Sequence, residues 1–325
     1  MNNMYDVIIV GGAAAGLTAA LYTSRQNMKT LVLTKDIGGQ ALLTPHIENY
    51  PGFEKIGGFE LMEKFKAQAE RFGAEFRYEE VKSIKKEENG FEVYTFDNRY
   101  EAVTLILAFG KTPRDLGVPG EDKFVGKGVS YCAVCDAPLF TNKKVAIAGI
   151  GEPALDAALM LCSRASKVYL LYPSSRIIAN ESLANTCQRK ENMEIILNAK
   201  VKEIKGNNKV EQVIFVDKEG EKSIDVDGIF IEMGYVAKTD FVKDLVALND
   251  KGEIIVDKEQ RTSKEGIFAA GDVTDTPYKQ IVISAGDGAK AGLSAYNYLQ
   301  RLRGKPIVKG DWKSILDDKD LVLNL

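Results

Sequence analysis

Two glycine-rich turns, each set between an apolar run and an alanine- and leucine-rich run, constrain this chain more than any other feature. The first is Gly11–Gly16, reading GGAAAG, preceded by Asp6–Val10 and followed by Leu17–Ser24 and then by the apolar run Lys29–Leu33. A strand that enters a tight turn, leaves it as a helix and returns as a second strand is the start of a βαβ unit. The pattern recurs: Val145–Ala148, the turn Gly149–Ala154 reading GIGEPA, the helix-forming Leu155–Cys162, and the strand Lys167–Leu171. Between Phe72 and Leu107, alternating polar and apolar residues around Asn89-Gly90 predict an antiparallel hairpin with Asn-Gly as its turn.

Late in the chain, Gly266–Asp272 (GIFAAGD) is a further strand and turn of the kind that abuts a bound dinucleotide. The first unit is therefore still open when the second begins. A chain of 325 residues also exceeds what one core usually holds. The economical architecture is α/β: two Rossmann-like, three-layer ββα dinucleotide-binding domains, the second inserted into the first. Residues 1–113 and 241–325 form the split domain and 114–240 the insert, with hinges at Thr112–Gly117 and Gly234–Asp240.

Composition removes several classes. With 43 basic and 46 acidic residues, net charge −3, there is no basic excess to bind nucleic acid. No run is long and apolar enough to span a bilayer, and Met1 reaches the strand-like Val7–Val10 too soon for a cleavable leader. The four cysteines are too few for a secreted disulfide scaffold, which predicts a reducing, cytoplasmic setting. The single histidine, His46, beside Pro45, reads as a surface or turn residue, and no cluster suggests a metal site.

Cys132 and Cys135 form a C-x-x-C just before the second Rossmann strand, followed directly by Asp136-Ala137-Pro138. Next to βαβ units this spacing reads as a redox dithiol rather than a metal half-site. A thiolate attacks a disulfide sulfur and the neighbouring thiol closes the ring to release the partner; a helix start beneath the pair would keep thiolate available. Cys162 and Cys187, among apolar neighbours on helical segments, read as packing residues.

Along essentially its whole length the chain resembles the low-molecular-weight thioredoxin reductases. The matching stretches include Gly11–Ala20, Gly38-Gly39-Gln40, Ile47–Phe53 (IENYPGF), Thr112-Pro113-Arg114, Ser130–Asp136 (SYCAVCD), Gly266–Val273 (GIFAAGDV), and Lys279-Gln280 running into Ser284–Gly288. The resemblance implies FAD in the split domain. Gly11, Gly12 and Gly16 would line the pyrophosphate turn, with Ala13 at its middle position. Gln40 and Asn49 would reach the flavin side, and Asp272 the ribitol chain. Gln280 and Ile281 would present backbone to the ring; Val81 and Gly271 are counted with the cofactor-binding residues. It also implies that Cys135 takes electrons from the flavin, that Cys132 attacks the partner, and that Asp136 moves the proton of the leaving thiolate. Thioredoxin as substrate and a homodimer follow as expectations.

One departure concerns the electron donor. Family members that use NADPH carry HRRxxxR after the second strand of the insert, whose arginines neutralise the extra phosphate. Here Tyr172–Ile178 reads YPSSRII: the adjacent arginine positions are Pro173 and Ser174, the last is Ile178, and Arg176 is out of register. Pro153 in the second turn has no N–H to offer a pyrophosphate. These changes predict a retained fold with a decayed NADPH site, and a resemblance to the ferredoxin-dependent flavin thioredoxin reductases, with ferredoxin giving single electrons to FAD. Lys82, Lys85, Lys86, Lys143, Lys144 and Lys279 are candidates for a docking patch. The competing readings are an NADPH-dependent thioredoxin reductase with compensating residues elsewhere, an FAD dithiol oxidase of a small metabolite, and a non-enzymatic flavin sensor.

Overall fold

The computed structural model describes residues 4–43 and 47–307. His46 and the C-terminal stretch Trp312–Leu325 lie outside the described residues. In chain order the elements begin with β1 (Tyr5–Gly12), α1 (Ala14–Arg25), β2 (Thr30–Ile37), α2 (Gly58–Arg71), β3 (Glu75–Tyr78), β4 (Ser83–Glu87), β5 (Gly90–Tyr94) and β6 (Arg99–Leu107). There follow β7 (Thr112–Pro113), α3 (Glu121–Phe124), β8 (Val129–Ser130), α4 (Ala133–Asp136), β9 (Lys144–Gly149), α5 (Gly151–Cys162), β10 (Lys167–Tyr172), α6 (Glu181–Gln188) and β11 (Met193–Leu197). The chain continues through β12 (Lys200–Lys205), β13 (Gln212–Asp217), β14 (Gly220–Asp225), β15 (Gly228–Glu232) and β16 (Tyr235–Val236) to β17 (Ile267–Ala269) and α7 (Ile281–Leu302).

Two units separate. One takes the chain up to Ala41, then Glu48–Gly110, and resumes at Thr239; the other takes Lys111–Lys238 with the short stretch that starts at Leu42. The crossings fall at Gly110/Lys111 and Lys238/Thr239, where sequence placed them at 113/114 and 240/241. The two stretches expected as hinges pair with each other. Thr112–Pro113 and Tyr235–Val236 form an antiparallel ribbon, and the Arg114 N–H donates to Gly234 O at 2.8 Å. A two-residue ladder of this kind needs only backbone.

In the first unit β3, β2, β1 and β6 are parallel, β17 joins β6 in parallel, and β5 and β4 continue the sheet as an antiparallel hairpin. β1 is buried over nearly its whole length, which is why Asp6–Val10 reads as a continuous apolar run. α1 and α7 pack on one face of this sheet through small residues: a Cβ on Gly288 of α7 would stand 2.1 Å from the carbonyl oxygen of Ala15. The hairpin register differs from expectation by one residue. Glu87 pairs with Gly90, so Glu88-Asn89 is the turn and Gly90 already belongs to β5. Gly90 is required by close approach, since a Cβ there would meet Ala102 O at 2.3 Å.

In the second unit the order β11-β10-β9-β15-β8 is parallel throughout, with a three-stranded antiparallel sheet β12-β13-β14 beside it. Alternate residues of β9 serve opposite faces: Val145 and Ile147 pack with Leu155 and Leu161 of α5, whereas Ala146 and Ala148 pack with Val213 and Phe215 of the small sheet. These are two α/β units of the dinucleotide-binding type.

Candidate active site

The second unit holds the cysteine pair. β8 ends at Ser130, one turn of helix α4 starts at Ala133, and Cys132 is its N-cap. Cys132 and Cys135 are joined by a disulfide with Cα atoms 5.4 Å apart. The backbone N–H of Cys135 donates to Cys132 Sγ at 3.0 Å and that of Asp136 to Cys132 O at 3.1 Å. Donors at a helix start lower the cost of negative charge on that sulfur. Ser130 Oγ donates to Asp136 Oδ2 at 2.6 Å and accepts the Cys132 N–H at 3.1 Å, so one hydroxyl ties the acid to the cysteine backbone. Ser130 was within the motif but carries no sequence signal of this role. Tyr131 donates to Glu121 Oε1 at 2.8 Å; burial and the Glu121 carboxylate push its phenol well above the usual range. Glu121, itself buried, also accepts the N–H groups of Leu116 (2.9 Å) and Gly117 (2.7 Å) and so fixes the approach to the cysteines.

Glu232, which sequence did not single out, ends β15 on the same sheet. Burial pushes its carboxyl up to about 7, and the N–H of Ala133 pulls it part of the way back. By contrast Cys162 and Cys187 are inert thiols. Burial raises both to about 11, and Cys187 Sγ rests 3.7 Å from Leu155 O.

The first unit gathers the residues expected around a cofactor. Gly11, Gly12 and Ala13 lead into α1, whose N-cap, Ala13, has no side-chain acceptor for the helix N–H groups. A Cβ on Gly16 would stand 1.9 Å from Gly11 O, so the turn can close only around glycine. Asp272, in the turn after β17 with Gly271, accepts from Gln40 Nε2 at 3.4 Å and from Ser284 Oγ at 3.1 Å. Asn49 Nδ2 donates to Gln280 Oε1 at 3.0 Å. Gln280 is the N-cap of α7 and Ile281 its first residue, again with no side-chain cap. Val81 is buried next to β4. Thus two helix starts, three amides and a held carboxylate from distant parts of the chain belong to one unit. Uncapped helix starts and a glycine cradle are what a dinucleotide pyrophosphate needs, so the residues present fit FAD.

The second turn is occupied differently. The Gly151 N–H donates to Tyr172 Oη at 3.0 Å, and the Ile178 N–H to the same oxygen at 2.9 Å. Glu152 Oε1 accepts from the Asn180 backbone N–H and from its Nδ2, both at 3.1 Å. The loop after β10 is thereby tied to the start of α5, with a carboxylate at its mouth.

Residues 5–289 match the family described as pyridine nucleotide-disulphide oxidoreductase. This chain belongs to that family. The oxidoreductase is 41% identical over 307 residues to a thioredoxin reductase of Treponema pallidum, covering 93% of this chain and 100% of that one. It is similar to the crystal structure of Lactococcus lactis thioredoxin reductase, with TM-score 0.80, 37% identity, and 91% and 99% of the two chains covered. A ferredoxin-flavin thioredoxin reductase from Clostridium acetobutylicum is also similar, at TM-score 0.53 and 33% identity over 93% and 99% of the two chains.

The family's name bears on two expectations. NADPH was expected to be lost, yet the matched family is named for pyridine nucleotides, which runs against that expectation. The ferredoxin expectation finds its likeness in a more distant fold neighbour. The six lysines offered as docking candidates are divided between the two units. Lys82 pairs with Glu80 at 2.5 Å, Lys279 Nζ donates to Thr274 O at 2.6 Å, and Lys143 and Lys144 belong to the other unit. Among the described residues no helix is long and apolar enough to cross a membrane.

Proposed function

We propose that this oxidoreductase is a flavin-dependent thioredoxin reductase in which the Cys132–Cys135 couple carries two electrons to the disulfide of thioredoxin. The observation that carries the reading is the bonded pair at the start of α4 with Asp136 held beside it by Ser130. When bound, FAD supplies a redox group able to exchange electrons with a neighbouring thiol. For that group, Gly11, Gly12, Ala13 and Gly16 would receive the pyrophosphate, Gln40 and Asn49 would reach the flavin side, and Asp272 the ribitol. Gly271, Val81 and the backbone of Gln280 and Ile281 would complete the wall. Residues 1–113 with 241–325 would thus form the FAD-binding domain and 114–240 the inserted domain.

The reduced pair then works on its partner. The Cys132 thiolate attacks one sulfur of the partner disulfide, and that S–S bond breaks, releasing one partner thiolate. Cys135 attacks Cys132 in the mixed disulfide, re-forming the internal bond and releasing the second partner sulfur. Two electrons leave the chain, and Asp136 delivers a proton to a departing thiolate. A second copy of the chain, as a homodimer, and a reducing cytoplasmic setting belong to the same reading.

For the electron donor, the comparisons favour NADPH over ferredoxin: the family is named for pyridine nucleotides, and the relatives with higher identity are plain thioredoxin reductases. A second reading, ferredoxin as donor, has one specific observation in its favour. Tyr172 Oη takes the Gly151 N–H that a pyrophosphate would use, and Glu152 puts negative charge beside it. Anaerobic mixing of the purified protein with NADPH, and separately with reduced ferredoxin, decides between them. Flavin bleaching by NADPH followed by thioredoxin-dependent insulin reduction supports the first. Bleaching by ferredoxin alone overturns it, and inert thioredoxin under both donors overturns the whole proposal.

A further inference from the structure

Asp257–Ser263 reads DKEQRTS, a run polar enough for a solvated loop, yet Gln260 within it is only 3% exposed. Its backbone lies in the left-handed region, with φ 62°, which is costly for any residue that carries a Cβ. Its Oε1 is buried with no hydrogen-bond partner among the described residues, a further cost. Two contacts hold it there. Its Nε2 donates to Asp287 Oδ1 at 3.0 Å, and its carbonyl accepts the N–H of Ala269, the last residue of β17, at 3.1 Å. Glycine would relieve the backbone at this position but has no amide to offer Asp287.

Asp287 is itself buried, on α7, three residues beyond Ser284 and on the same face of the helix. Ser284 Oγ donates to Asp272 Oδ1 at 3.1 Å, and the Thr276 hydroxyl donates to Asp287 Oδ2 at 3.3 Å. The stretch from Asp272 to Thr276 is therefore fastened to α7 at both ends. Between them Thr274 closes the turn: its N–H and its hydroxyl both donate to Gly271 O, at 3.0 and 2.7 Å. Lys290 Nζ, 2.8 Å from Asp287 Oδ1, balances the buried charge from the more exposed side. Gln260 thus joins β17, α7 and the turn that follows β17.

We propose that Gln260 and Asp287 are positioning residues for the cofactor, a clasp that holds the turn Gly271–Thr274 on α7 and so sets where the Asp272 carboxylate stands. This rests on the reading that Asp272 meets the ribitol chain of FAD. The two residues act through Asp272 and not on the cofactor themselves. A carboxylate on a short turn is free to shift with that turn, and ordering it on binding weakens affinity. A clasp formed beforehand removes that cost. The strained backbone and the unpaired amide oxygen of Gln260 are the local penalty for reaching Asp287.

The test removes FAD from the full-length protein and titrates it back, reading binding from the quenching of flavin fluorescence. ADP, which lacks both ribitol and flavin, is titrated separately by calorimetry. Gln260→Gly should raise the FAD dissociation constant about tenfold and leave that for ADP at its wild-type value. Asp287→Asn keeps the shape and removes the charge; it should raise the FAD constant about threefold, again with ADP unchanged, and stands in if Gln260→Gly does not fold. In an Asp272→Ala background, Gln260→Gly should weaken FAD no further, because both changes act on one contact. Wild-type FAD binding in both single variants overturns the proposal. So does an equal loss for FAD and ADP, which a general loosening of the unit would give, and so does a full additional loss in the Asp272→Ala background. Wild-type FAD binding by Asp272→Ala alone instead overturns the underlying reading of Asp272.

Discussion

The two glycine turns start from the same chain geometry and end with different uses of their backbone. In the first, Gly16 lets the turn close against Gly11 O, and α1 begins with its N–H groups uncapped by any side chain. In the second, Ala154 replaces the last glycine, Pro153 removes one donor, and Tyr172 Oη takes the N–H of Gly151. The comparison separates two constraints that motif matching merges. Close approach of backbone preserves the βαβ unit in both places. Orphan donors at the helix start decide whether an anion is welcome, and in the second turn one of them, the Gly151 N–H, is already taken by Tyr172 Oη.

The largest expected effect breaks the first turn. Gly16→Ala puts a methyl 1.9 Å from Gly11 O, and should cost about 3 kcal/mol or more of stability together with flavin retention. Chemical denaturation and the visible absorbance of the purified protein check both; a stable yellow variant would mean the turn is looser than described. Next, Tyr172→Phe removes the acceptor of two N–H groups from a fully buried ring. It should destabilise the second unit by about 1–2 kcal/mol. If the hydroxyl is what closes the turn, the variant should also bind NADPH more tightly in a fluorescence titration, by about tenfold. Unchanged affinity would place the obstruction elsewhere.

A smaller effect is expected at Gly151, whose φ of 77° favours glycine. Gly151→Ala should cost about 1 kcal/mol, read from a denaturation midpoint. The smallest effect is a pH profile. Cys162 and Cys187 lie at about 11 because burial penalises their thiolates. Alkylation of these two should be negligible at pH 8 and rise towards pH 11, so that a free-thiol count at pH 8 reports the Cys132–Cys135 pair alone.

Much of this molecule is legible in its sequence, because local geometry dictates residue type at the decisive places. The strands β1 and β9 are apolar runs since both their faces are buried, and Gly16 and Cys132–Cys135 are fixed by close approach and by bond geometry. What sequence hides is long-range or register-dependent. Gly90 reads as a turn residue, but its reason is the carbonyl of Ala102 on the neighbouring strand. Gln40 and Asp272 meet across 232 positions, and Tyr172 is a buried core ring until its hydroxyl is traced to Gly151. Glu232 is one acid between Ile231 and Met233, and only its burial at the end of β15 raises its carboxyl.

The central claim is that Cys132 is the sulfur that hands electrons to a protein disulfide. It is tested most directly by reducing the purified flavoprotein chemically, without air, mixing it with oxidised thioredoxin, and following flavin absorbance in a stopped-flow instrument. The wild type should regain its oxidised flavin spectrum as thioredoxin thiols appear, whereas Cys132→Ser should stay bleached with no thiols formed. Equal reoxidation by thioredoxin in both proteins would contradict the account.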